Sequence, residues 1–151
     1  MITKAQYLMG RDILFPEDFT AEIDGNAQKT IDTVNPLLDS FYADTGIRLT
    51  VASGWRPPAI NDTTSNAASH SWHIVAGAVD IRDTNSRDLA RWVAANQDQL
   101  IAAGLFCERF EWTPDWVHFS QHPPASGHRF YIPSTAPAKV ARLPEQDTYD
   151  C

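Results

Sequence analysis

The chain of 151 residues is 43% hydrophobic and 21% charged, a balance that describes one packed domain and excludes a disordered segment, a coiled coil or a disulfide-stapled miniprotein. With 12 Lys and Arg against 19 Asp and Glu the net charge is −7, so neither nucleic acid nor an anionic membrane surface is an expected partner. No apolar run approaches the ~20 residues of a membrane span, and Cys107 and Cys151, without CxxC spacing, suit a reduced compartment or indifference to redox state.

In chain order, the first dozen residues lack the basic segment and long apolar run of a secretory signal, so no export signal is expected. Over residues 18–44, Ile23, Ala27, Ile31, Val34, Leu38 and Phe41 recur at helical spacing. They predict one amphipathic helix that stops at Gly46 and is kinked or briefly broken at Pro36. Residues 47–53 alternate as a strand does. Residues 56–71, rich in Pro, Asn, Ser and Thr, predict a long functional or mobile loop.

Ala78–Arg82 reads as a strand, and Asn85 or Ser86 as the cap of a helix that runs through Leu89, Trp92, Val93, Leu100 and Ile101 to Gly104. Residues 105–110 and 116–120 predict two strands, and 129–132 an edge strand. From Pro133 onward the composition predicts a poorly ordered tail, which divides the chain into a domain of residues 1–133 and a tail of 134–151. The expected class is α+β: a small, mainly antiparallel sheet with helices packed on one face. A monomer is expected.

Chemistry enters at two strands. Asp80 lies between Val79 and Ile81, where strands are depleted in Asp, and alternation aims it away from the core. Within the segment 116–120, Val117 and Phe119 point inward while His118 points outward, like Asp80. His73 lies just before the first of these strands. Two imidazoles and a carboxylate, with a fourth position left to water, are a known catalytic zinc set. His70, His122 and His128 read as solvated or cleft-lining side chains, and Trp55, Trp72, Trp112 and Trp116 as core or as a substrate wall.

Three elements in this order resemble the zinc D-alanyl-D-alanine carboxypeptidase and L-alanyl-D-glutamate endopeptidase family, related in fold to the hedgehog signalling domain. Ser71, His73, Ala78 and Asp80 match the motif S-x-H-x-x-G-x-A-x-D in register, and Trp116-Val117-His118 matches its later W-x-H. Ser53-Gly54-Trp55-Arg56 with Asn61 matches the upstream S-G-[YW]-R…N element. The likeness runs from about residue 28 to 133. Ala76 stands where the motif has glycine, with Gly77 one place late.

The resemblance implies one Zn2+ per chain on His73, Asp80 and His118, and a substrate drawn from the stem peptide of bacterial peptidoglycan. It implies that Arg56 binds a substrate carboxylate or the developing oxyanion, with Ser53, Asn61 and Ser71 around it. The family's acid, three residues before the last ligand, falls on Asp115. As general base, Asp115 requires a turn at Thr113-Pro114 to bring it round; Glu108, on the preceding strand, is the rival and Glu111 a third choice. The missing export signal adds the expectation of a phage lysis or wall-penetration enzyme, made in the host cytoplasm or carried by the virion. Two alternatives stand beside this: a non-catalytic zinc-binding domain used for structure or wall docking, and a peptidase for other D-amino-acid peptides. Which stem-peptide bond is cut stays open.

Overall fold

The computed structural model of the chain describes residues 1–135; apart from residues 134 and 135, the expected tail lies outside the described residues. Two short helices, α1 (Lys4–Leu8) and α2 (Arg11–Leu14), precede the long α3 (Ala21–Thr45). Thr3 and Gln6 form a reciprocal capping box on α1, and the Thr20 side chain caps α3. Gly46, at φ 71°, ends α3 in the left-handed conformation that glycine adopts without steric cost. α3 runs through Pro36 without the brief break that was one of the two expected outcomes. Both Pro36 and Asp32 are exposed, so the carbonyl that loses its donor faces water.

Five strands follow: β1 (Val51–Ser53), β2 (Ala78–Arg82), β3 (Phe106–Glu108), β4 (Trp116–Ser120) and β5 (Phe130–Tyr131). They form one sheet in the order β1-β2-β4-β3-β5. Every pairing is antiparallel except β3 with β5. The fold is therefore α+β with a mostly antiparallel sheet. The predicted strands at 47–53 and 105–110 shrink to three residues each, and the predicted loop at 56–71 contains a short helix, α4 (Pro58–Thr63).

The second predicted helix is two, α5 (Asp88–Ala95) and α6 (Gln97–Ala102), broken at Asn96. Neither Asn85 nor Ser86 caps it. The Asp83 carboxylate does, accepting from the backbone N–H of Leu89 at 2.9 Å and of Ala90 at 3.1 Å. Val79, Ile81, Val117 and Phe119 join Tyr7, Ile31, Val34, Leu38, Phe41, Leu89 and Val93 in one buried cluster. That cluster takes one side of β2 and β4, and leaves Asp80 and His118 on the other.

Candidate metal centre and cleft

β2 and β4 pair with Asp80 opposite His118. Ser53 of β1 stands opposite Asp80, because an irregularity after Val51 turns it out of the core-facing register. On the other side Cys107 pairs with Phe119, so one step further along the ladder sets Glu108 against His118. Glu108 in turn pairs with Tyr131. Ser53, Asp80, His118, Glu108 and Tyr131 thus form one row across all five strands, and all five line a cleft of about 690 Å³.

His73 reaches this row from the turn before β2. Its Nε2 lies 3.3 Å from Asp80 Oδ2 and 3.4 Å from His118 Nδ1, and His118 Nδ1 lies 2.7 Å from Asp80 Oδ1. The three ligand atoms fall within 4.8 Å of one another and all three residues are buried. Donors on a tetrahedral ion with bonds of ~2.0–2.1 Å stand about 3.4 Å apart, which the separations of His73 Nε2 from Asp80 Oδ2 and from His118 Nδ1 match; Asp80 meets the two histidines through different oxygens, so it would turn to give one of them to the ion. The ring orientation is also set, because His73 Nδ1 donates to the Gly54 carbonyl at 2.7 Å and turns Nε2 toward Asp80 and His118, so Nε2 is the nitrogen that a metal would take in place of a proton. The site is fit to hold a metal ion.

The local sequence explains the placement. The Arg56 backbone N–H donates to the His73 carbonyl at 3.0 Å, and Trp55 Nε1 to the Ile74 carbonyl at 3.0 Å, strapping the Ser-Gly-Trp-Arg segment to the histidine turn. From α3, Thr30 Oγ1 donates to the Ala76 carbonyl at 2.7 Å, and Asn26 to the Val75 carbonyl at 3.1 Å. Ala76 takes the positive φ, 57°, that the motif assigns to glycine. Gly77 is needed for a different reason: a Cβ there would lie 2.7 Å from the His122 ring, which stacks on Trp72 with centroids 3.8 Å apart.

Electrostatics follow from burial and pairing. Burial alone would raise the Asp80 carboxyl, but the charge of His73 and hydrogen bonds from both histidines outweigh it and hold the group well below its ordinary range. Burial would likewise depress His118, and its bond to Asp80 reverses this and raises it. In His73 burial wins and the imidazole is held below its ordinary value. Glu108 is raised, chiefly by burial, against the opposing charges of His118 and Arg56.

The other expected site residues separate. Arg56, only 9% exposed, lines the cleft, and its Nη2 donates to Ser71 Oγ at 3.3 Å. Ser53 and Ser71 line it too. Asn61 does not: buried, it donates to the Ala68 carbonyl at 3.0 Å and fixes the loop rather than meeting a substrate. Asp115 sits in the expected turn and lines the cleft, but it is exposed and beside Asp83, whose N–H donates to its carbonyl at 3.0 Å. Glu111 lies outside the cleft lining and pairs with Arg109 at 2.7 Å. His70, Trp72, Trp112 and Trp116 line the cleft, whereas Trp55 belongs to the core.

Among the cleft residues that the sequence did not single out are Tyr131, which depends on the non-local β3–β5 pairing, and Arg11, carried in by α2. Comparison with protein-family models, with curated proteins and with solved structures finds no match, so the reading of the site rests on its geometry and on the motifs.

Proposed function

We propose that this chain is a zinc-dependent peptidase of the hedgehog-like metallopeptidase fold, acting on the stem peptide of bacterial peptidoglycan. The observation that carries the reading is the buried His73–Asp80–His118 triad, of which Asp80 and His118 line a cleft, with the carboxylate of Glu108 next along the same row. A zinc ion on that triad would lower the pKa of a bound water to about 7 and polarise the scissile carbonyl. Arg56 sets its guanidinium where it can take a substrate carboxylate or the charge of the developing oxyanion.

Glu108 is our choice for the proton carrier, ahead of Asp115. It shares a sheet face with Asp80 and His118 and feels the charges of His118 and Arg56, and its half-buried carboxyl is raised toward the range where it both accepts and returns a proton. It would take a proton from the attacking water and deliver it to the leaving amine. Asp115 lies three residues before His118, in the turn ahead of β4, where it is exposed. Trp72, Trp112 and Trp116 wall the groove that a peptide strand would follow.

The test is mass spectrometry of muropeptides after purified peptidoglycan is incubated with zinc-loaded protein. We expect either released D-Ala or a new amino end on D-Glu, lost on chelation and in His118→Ala. Intact muropeptides from zinc-loaded wild type would overturn the reading, and cosedimentation with uncut peptidoglycan would favour the wall-docking alternative.

A further inference from the structure

Arg11 belongs to no motif, yet its side chain lines the same cleft as Arg56. Its Nη1 donates to the carbonyl of Trp55, the residue immediately before Arg56, so α2 brings the Arg11 guanidinium up beside the chain that carries Arg56, and both line the cleft. Such neighbours repel. Both are held below the ordinary arginine value, first by burial and, in Arg11, also by the charge of Arg56. Among the described residues, Arg56 keeps its buried Nε–H without a partner, and its side-chain bond is the 3.3 Å contact to Ser71. Of the carboxylates that offset it, Asp80 is already committed to His73 and His118. Paired guanidiniums with an unmet donor suit a carboxylate, which accepts two parallel N–H bonds from a guanidinium fork.

We propose that Arg11 and Arg56 together seat the free α-carboxylate of the residue on the leaving side of the scissile bond, and that Arg11 makes the cleft choose a carboxylate over a carboxamide there. This rests on the peptidase reading above. Both candidate bonds present that group. The terminal D-Ala carries it, and so does D-Glu, whose chain continues through its side-chain carboxyl. In each, the carboxylate lies one carbon from the leaving nitrogen.

The experiment is calorimetric titration of zinc-loaded protein with the leaving residues themselves, D-alanine and D-glutamate, and with the matching carboxamides, D-alaninamide and D-isoglutamine. Binding is then read without turnover. Wild type should bind the acids at least about tenfold more tightly than the amides. Arg11→Gln should lose that preference for the acids while binding the amides as wild type does. Arg11→Lys, which keeps the charge but not the fork, should fall between them. Unchanged acid binding in Arg11→Gln, or equal weakening of acids and amides, would leave Arg11 only its bond to Trp55 and overturn the proposal. A wild type that prefers acids but leaves peptidoglycan intact would keep the seat and remove the peptidase reading. A wild type that digests peptidoglycan without discriminating would remove the seat alone.

Discussion

A proton and a metal ion compete for His118. The Asp80 bond raises this imidazole, so metal uptake below the raised value must expel a proton, and apparent zinc affinity should fall about tenfold per pH unit there. Without metal, the three groups set the pH dependence of stability. His118, raised, contributes stability that is present below ~6.5 and lost as pH rises through its folded value. His73, depressed, costs stability as pH falls below ~6.5, and Asp80, also depressed, costs more below ~3.9. Glu108, raised, also gives up stability as pH rises above ~4.3, so the metal-free protein should be most stable at or somewhat below pH ~6.5, and zinc should shift that optimum upward. Thermal melts with and without a chelator across pH 4–9 check this; a metal-free Tm still climbing at pH 8 would contradict it. Among the carboxylates, Glu108→Gln should lose about 10²–10⁴ in turnover with zinc retained. Turnover and zinc content measured together decide, and the same loss in Asp115→Asn alone would return the role to the motif position.

The elements divide by how local their causes are. β2 and β4 were legible because inward Val79, Ile81, Val117 and Phe119 alternate with outward Asp80 and His118, so the ligands could be read off a pleat. α1 and α2 were not legible: at 5 and 4 residues they are too short for a period. The cap of α5 was misplaced because Asp83 acts from five residues before the helix, through its side chain. Glu108 could be named but not preferred to Asp115, since its row is set by long-range register. The turn into β2 gives a direct check. Ala76 sits at φ 57°, where an L-residue other than glycine costs roughly 1–2 kcal/mol. Allowing for the greater entropy glycine loses, Ala76→Gly should be neutral to about 1 kcal/mol stabilising in urea denaturation. A clear loss would mean that the Ala76 methyl's packing outweighs the strain.

At the scale of the whole molecule, the N-terminal segment closes the back of the site. A Cβ on Gly54 would lie 1.9 Å from the Tyr7 carbonyl oxygen, and the Gly54 carbonyl is the partner that orients His73. Gly54→Ala must therefore displace either α1 or the ligand, and we expect about 1–3 kcal/mol lost together with weaker zinc binding. Tyr7, fully buried, donates to the Ala78 carbonyl at 2.9 Å at the start of β2; Tyr7→Phe should cost about 1–3 kcal/mol by stranding that carbonyl, with metal content unchanged. Equilibrium denaturation and metal analysis separate the two variants. The long α3 clamps the histidine turn from the other side through Thr30 and Asn26. Helices on either side of the turn thus hold three ligands from one turn and two strands, and the central claim is that this arrangement is a one-ion hydrolytic centre. The most direct test is to titrate zinc into metal-stripped protein while following the release of new amino ends from peptidoglycan. Activity should rise linearly, break at one zinc per chain and be absent in His118→Ala; a flat trace, or undiminished activity in the stripped protein, would contradict a one-zinc centre.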